Sequence, residues 1–173
     1  MSVRNSVARG LLLALAVSAA LLASACSKKR PRLDEAGVKA FLESLAKADD
    51  AFDARVMCDA YAKDAKLTLT EYGKFAPTVM DKTQACDFMR KSYEDARRTR
   101  VRSSTRVEIE RVNITPDGLT AEVVGKLYET VTPPKGPAVI GTSEFQETVE
   151  LIDEKPQLTS TIQTVTAMQA MDR

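Results

Sequence analysis

The chain has 173 residues, of which 25 are basic, 24 are acidic and none is histidine. The near-neutral charge, the absence of tryptophan and an aromatic content of 5% argue against a nucleic-acid-binding surface, so no nucleic acid partner is expected. Without histidine, the three cysteines do not suffice for a tetrahedral metal site, and we expect neither a metal nor another cofactor.

Residues 1–25 have the layout of a secretory signal peptide. Arg4 and Arg9 form a modest basic start, and the apolar run Leu11–Leu22 leads to the small residues Ala23-Ser24-Ala25, which a signal peptidase accepts. A retained membrane anchor is the alternative, but the run is shorter than the roughly 20 apolar residues that span a bilayer. The pattern therefore predicts an exported protein.

Cys26 follows the small residues directly, so the stretch Leu21–Cys26 resembles the lipobox of bacterial lipoproteins. The resemblance implies that Cys26 carries diacylglycerol, becomes the new N-terminus and attaches the protein to a cell-envelope membrane, facing the periplasm. Ala23 departs from the pattern, since leucine is usual at that position. The alternative is ordinary cleavage at the same bond, which leaves Cys26 as a free N-terminal thiol.

Residues 26–32 form a basic tether, because Lys28, Lys29, Arg30 and Arg32 follow Cys26 without any acidic residue. Residues 33–173 carry 19 basic against 24 acidic side chains, a net charge of −5. The sequence thus predicts one mildly acidic domain, of ordinary single-domain size, close to an anionic head-group layer. A solvated spacer is the alternative role of the tether.

If Cys26 holds a lipid, Cys58 and Cys86 remain as an even pair in an oxidising compartment. We expect them to form a disulfide, which over a separation of 28 residues would stabilise the fold by roughly 3–4 kcal/mol. Two buried free thiols are the alternative.

Three amphipathic helices are predicted in the first part of this domain. The first runs from Leu33 to about Lys47 with Asp34 as N-cap, and the second runs from Ala51 to about Ala62, capped by Asp49-Asp50. After a short alternating strand at Lys66–Thr70 and a loop, a capping box at Asp81–Gln84 opens a third helix that ends near Arg97. The basic segment Arg90–Arg102 is interpreted as a solvated helix end, with an anion-binding patch as the alternative.

Four long strands follow, at Arg106–Ile114, Leu119–Val131, Ile140–Ile152 and Leu158–Met168. In the first strand the alternation of apolar and polar residues shifts by one position near Glu110-Arg111, which predicts a β-bulge. Pro116-Asp117-Gly118 predicts a turn. Period-two alternation places Phe145 and Glu147 on one face of the third of these strands. In the last strand it places Leu158, Ile162 and Met168 on one face.

Helices first and strands last predict an α+β fold, with the helices packed on one side of a curved, mostly antiparallel sheet. The stretch Asp49–Thr70 (DDAFDARVMCDAYAKDAKLTLT) resembles the second helix and first strand of the nuclear-transport-factor-like, SnoaL-like or ketosteroid-isomerase-like cone fold, a cystatin-like α-β roll. The resemblance implies a deep pocket between helices and sheet. Members of this superfamily include isomerases, dehydratases, epoxide hydrolases and non-catalytic binding modules.

The catalytic sets of that superfamily do not carry over to this chain. The dehydratase type uses a histidine, which is absent, and the steroid-isomerase type uses a tyrosine of the first helix, where residues 33–47 have none. The epoxide-hydrolase type needs an Asp-Arg-Asp set, and no such set can be assigned to one wall. We therefore expect a non-catalytic module, binding a small apolar ligand or an envelope protein, that can form homodimers through its open sheet face.

The alternative is an isomerase or hydrolase that uses a pocket carboxylate as its base. No nucleophile is indicated, since no serine has a G-x-S-x-G setting. An enclosed cavity that holds a carboxylate with a strongly raised pKa would favour the enzyme, whereas a filled or purely apolar cavity would exclude it.

Overall fold

The computed structural model describes residues 31–171, which hold three helices and six strands. The helices are α1 (Glu35–Asp50), α2 (Ala54–Ala60) and α3 (Lys82–Arg98). The strands are β1 (Tyr61–Thr70), β2 (Thr78–Asp81), β3 (Arg102–Ile114), β4 (Thr120–Thr132), β5 (Val139–Ile152) and β6 (Lys155–Ala170). The predicted signal peptide and the lipidated Cys26 lie outside the described residues.

Two of the three helix starts agree with the sequence prediction. The Asp34 carboxylate accepts a 2.7 Å hydrogen bond from the Gly37 amide, and Asp81 and Gln84 form the predicted capping box at the start of α3. The predicted start of the second helix is wrong, because α1 continues through Asp50 and α2 begins only at Ala54, where Asp53 is the N-cap. Asp49, Asp50 and Asp53 are all residue types that favour an N-cap, and the prediction chose the earlier pair.

The six strands form one curved mixed sheet in the order β2-β1-β6-β5-β4-β3. All neighbours are antiparallel except β1 and β6, which pair in parallel. Helices packed on such a sheet confirm the predicted α+β class. The short edge strand β2 was predicted as loop, because its four residues show no alternating pattern long enough to indicate a strand.

The local features of the long strands largely follow the sequence. The β3–β4 register shifts between Ile109 and Arg111, as the slip in the pattern predicted. Opposite this shift lies Gly125, where a Cβ atom would stand 2.4 Å from the Glu108 carbonyl oxygen and 2.7 Å from the Phe145 ring. Glycine at this position therefore lets the Phe145 ring lie directly on the sheet.

The core lies between the helices and the inner face of the sheet. It combines Val38, Leu42 and Leu45 of α1 with inward residues of the strands, among them Val123, Phe145, Val149 and Leu158. The prediction that Ile162 shares a face with Leu158 is wrong, and the Ile162 side chain is 45% exposed. The β5–β6 register shifts between Thr148 and Val149, and this bulge reverses the alternation, so that Thr161 faces inward instead. A second register shift, between Thr142 and Ser143, returns Met168 to the face of Leu158, as predicted.

Among residues 31–171, no helix is both long and apolar enough to cross a membrane.

Candidate functional site

A cavity of about 450 Å³ lies between the three helices and the inner face of the sheet. Its volume falls within the range of natural small-molecule sites. The helical wall is mostly apolar and contains Leu42, Leu45, Met57, Ala85, Phe88 and Met89. A molecule that enters would therefore bury its apolar body against the helices and place its polar groups toward the sheet.

One polar group of side chains, which we call the rim cluster, consists of Asp49, Tyr93, Thr105 and Glu129. The Tyr93 hydroxyl donates to Asp49 Oδ1, and the Thr105 hydroxyl donates to Asp49 Oδ2 at 3.0 Å. Thr105 and Glu129 are direct cross-strand partners on β3 and β4. Three elements thus converge on one carboxylate and fix its orientation.

Glu129 has fewer partners than Asp49. It accepts one hydrogen bond, of 3.2 Å, from the Ser103 hydroxyl. Burial, followed by the negative charges of Asp49 and Asp50, raises the pKa of Glu129 above its usual value, against the effect of the Ser103 bond. The rim cluster therefore holds two neighbouring carboxyl groups, and the charge of Asp49 disfavours the ionisation of Glu129.

A second group, the inner cluster, consists of Tyr61, Glu147 and Thr161. Glu147 stands directly opposite Thr161 in the β5–β6 pairing, and Tyr61 pairs with Leu158 further along β6. Within residues 31–171 the Glu147 carboxylate takes part in neither a hydrogen bond nor an ion pair. Its flanking residues on the same face are Phe145 and Val149, which are buried and apolar.

The surroundings of Glu147 change its acidity. Burial alone raises the pKa of the Glu147 carboxyl to about 7, because no donor or cation stabilises its charged form. Near neutral pH such a group is present in both protonation states, which is the property required of a general acid or base.

Tyr61 remains a phenol under the same conditions. Burial, followed by the charge of Glu147, raises the pKa of its hydroxyl well above the usual value, although the Thr161 hydroxyl nearby acts in the opposite direction. The influence of Thr161 does not amount to a hydrogen bond of good geometry, since Thr161 Oγ1 is buried without a partner among the described residues. Both hydroxyls are therefore available as donors to a bound molecule.

Cys58 and Cys86 are joined in a disulfide, with their Cα atoms 5.6 Å apart. The bond links α2 to α3 behind the helical wall, next to Met57 and Ala85, which line the cavity. It therefore supports the wall without contributing a reactive thiol. Within residues 31–171, no group of three or more acidic, cysteine or histidine side chains is arranged to hold a metal ion.

The sequence predicted only part of this site. Alternation along β5 placed Glu147 on the face of the buried Phe145, as observed. The second helix was predicted to continue to about Ala62, but it ends at Ala60, and Tyr61 is the first residue of β1. Asp49 was interpreted as a cap, and Glu129 was not singled out. Their convergence depends on the packing of α1 against β3 and on the pairing of β3 with β4, for which the sequence carries no local signal.

None of the arginine and lysine side chains of the basic segment Arg90–Arg102 lines the cavity, although Tyr93 of the same segment does. Arg90 and Arg98 form exposed ion pairs with acidic residues three positions earlier on α3, at 2.5 and 2.9 Å. These contacts agree with the interpretation of the segment as a solvated helix end.

Comparison with known proteins found no matching family model and no matching curated protein. Solved structures do match. The beta subunit of benzoate 1,2-dioxygenase from Burkholderia mallei superposes with a TM-score of 0.65 at 14% identity, over 78% of this chain and 91% of that one.

Two further structures show the same similarity. An NTF-2-like protein of unknown function from Shewanella oneidensis gives a TM-score of 0.55 at 19% identity, over 73% and 95% of the two chains. A ketosteroid isomerase-like protein from Erwinia carotovora gives 0.56 at 17% identity, over 78% and 99%. At these identities the comparisons establish the fold alone. The domain accordingly has the nuclear-transport-factor-like cone fold that the stretch Asp49–Thr70 indicated.

Proposed function

We propose that this domain binds a small, largely apolar molecule in its cavity and performs acid–base chemistry on it, as an isomerase or hydrolase, with Glu147 as the proton acceptor. The observation that carries this proposal is the Glu147 carboxylate, which lies without a partner in the cavity and has a pKa raised to about 7. A cavity carboxylate with a raised pKa is the feature that was expected to favour an enzyme over a binding module.

The inner cluster supports a proton-transfer mechanism. Glu147 would take a proton from carbon next to a carbonyl group, and the released electron pair would move onto the carbonyl oxygen. Tyr61, which stays protonated, would donate a hydrogen bond to that oxygen, and Thr161 could donate a second. Return of the proton from Glu147 to a different carbon completes an isomerisation and regenerates the carboxylate.

Ring opening of 5-nitrobenzisoxazole tests this proposal without knowledge of the natural substrate. In this reaction a base removes one C–H proton while the N–O bond breaks, and the nitrophenolate product is measured by its absorbance. We expect turnover that rises with pH to a plateau above about 7, as Glu147 becomes ionised. Glu147→Gln should lower the rate by about 100-fold or more.

Glu144→Gln is the matched control, because Glu144 lies on the same strand but is exposed on the opposite face. This variant should keep the full rate. The proposal is wrong if the unaltered protein does not exceed the buffer rate, or if Glu147→Gln is as active as the unaltered protein.

A binding module without catalysis is the second candidate, and the apolar helical wall favours it. Mass spectrometry of material extracted from the purified protein would then find a bound apolar compound, while ring opening stays at the buffer rate.

Attachment to a membrane through Cys26 is a separate proposal, which rests on the sequence of residues 21–32. Cys26→Ala should move the protein from the membrane fraction to the soluble fraction. An unchanged distribution between the fractions would refute lipidation.

A further inference from the structure

The cavity contains negative charge that the described part of the protein does not neutralise. Three of its lining residues are carboxylic acids, Asp49, Glu129 and Glu147, and none is lysine or arginine. Within residues 31–171, no ion pair involves any of the three. Carboxylates in such surroundings are stabilised by a cation more than by any neutral partner.

Two basic side chains of α3 are engaged with backbone carbonyl groups. Lys82 donates to the backbone carbonyl of Tyr61, and Arg97 donates to the backbone carbonyl of Phe52. Neither side chain lines the cavity. The missing positive charge is therefore not supplied by these two residues.

A second observation points to a ligand in the same cavity. Thr161 is only 7% exposed, it lines the cavity, and its hydroxyl oxygen has no hydrogen-bond partner among the described residues. Buried hydroxyls are usually paired, so an unpaired one in a cavity indicates a position that a bound molecule completes. Glu129 also accepts only one hydrogen bond, from Ser103, and can accept others from a ligand.

We propose that the cavity selects apolar molecules that carry a protonated amine, with the ammonium group held by Glu129 and Asp49. An ammonium group offers three donors and one positive charge, which match carboxylate oxygens that only accept. The Tyr93 and Phe88 rings, which also line the cavity, suit a cation as well. The apolar body would lie against Leu42 and Met57.

This inference names the substrate class of the proposed enzyme, and to that extent it rests on the proposed function. Burial and then the charge of Asp49 disfavour a charged Glu129, and an ammonium group beside the two carboxylates would offset both effects. The amine end would occupy the rim cluster, which leaves the inner cluster for the reacting part of the molecule.

Three probes of one shape test the inference: 1-naphthylmethylamine, 1-naphthylmethanol and 1-naphthoic acid, titrated calorimetrically into the purified protein at pH 7.5. The amine should bind at least tenfold more tightly than the alcohol, and the acid should bind more weakly than the alcohol. Glu129→Gln should lower the affinity for the amine about tenfold and change that for the alcohol less than twofold. Glu144→Gln should change neither.

Equal binding of the amine and the alcohol, or an amine preference that survives both Glu129→Gln and Asp49→Asn, would overturn the inference. Circular dichroism verifies that these variants are folded, and if Asp49→Asn is not, Glu129→Gln decides alone. Because 5-nitrobenzisoxazole is neutral, its turnover does not depend on an ammonium site. Turnover without amine preference would refute the substrate class and leave the proposed function standing. Amine preference without turnover would refute catalysis by Glu147 and leave the ammonium site standing.

Discussion

Asp49 in the rim cluster and Glu147 in the inner cluster are two carboxyl groups of one cavity in opposite circumstances. Asp49 receives hydrogen bonds from the hydroxyls of Tyr93 and Thr105, whereas Glu147 receives none within the described residues. Hydrogen bonds from fixed donors stabilise a carboxylate and hold its direction, while burial without donors favours the neutral acid. The comparison separates a carboxylate suited to binding from one suited to proton transfer.

The difference arises from the positions of the two residues in the fold. Asp49 lies in the last turn of α1, where α3 and β3 each bring a hydroxyl group to it. Glu147 lies within β5, between Phe145 and Val149 on the inner face. A strand that contributes to an apolar core offers its polar residues few partners on that face, so an unpaired acidic residue there is destabilising.

The largest effect that we expect from this comparison is a pH-dependent stabilisation by Glu147→Gln. The folded-state pKa of Glu147 is about 7, above its ordinary value of 4.5, so between these pH values the folded protein binds more protons than the unfolded chain. Stability therefore decreases as pH rises through this window. A neutral amide avoids that loss, and at pH 8 the variant should be more stable by up to about 3 kcal/mol.

Urea unfolding at pH 5 and pH 8 measures this effect. The difference between Glu147→Gln and the unaltered protein should be much smaller at pH 5 than at pH 8. Glu144→Gln, on the exposed face of the same strand, should change stability by less than about 0.5 kcal/mol at both. A Glu147→Gln variant that is less stable at pH 8 would show that the carboxylate has a stabilising partner after all.

The sequence predicts those features of the two carboxyl groups that depend on neighbouring residues, and not those that depend on contacts between distant parts of the chain. Period-two alternation along β5 is local, and it placed Glu147 on the face of Phe145. The alternation did not show that helices cover this face. That cover buries Glu147 and thereby raises the pKa of its carboxyl group. Tyr61, by contrast, was predicted to lie in the second helix and begins β1 instead, so its inward direction follows from strand pairing and not from helical spacing.

The remaining features depend on contacts between distant parts of the chain. The parallel pairing of β1 with β6 joins residues 94 to 97 positions apart, and no pattern within either strand indicates its partner. The bulge near Thr148 shifts the register of β6, so that Thr161 replaces Ile162 on the inner face. Alternation continued across a bulge gives the wrong face, and the buried hydroxyl of the inner cluster was missed for this reason.

A smaller effect distinguishes the two tyrosines of the site. Tyr93→Phe removes a hydrogen bond to the Asp49 carboxylate and should lower the free energy of unfolding by about 2 kcal/mol, the usual contribution of a bond to a charged group. Tyr61→Phe removes a hydroxyl that makes no hydrogen bond of good geometry among the described residues, and it should lower that free energy by less than about 1 kcal/mol.

The two substitutions remove the same atom from equally buried rings, with exposures of 9% for Tyr93 and 5% for Tyr61, so each serves as the control for the other. Urea unfolding at pH 7 gives both values. If the order is reversed, the Tyr61 hydroxyl is bonded to the inner cluster in the free protein, and Glu147 or Thr161 is then its acceptor. In that case Tyr61 would have to break a hydrogen bond before it could donate to a substrate oxygen, and its role in the proposed proton transfer would be lost.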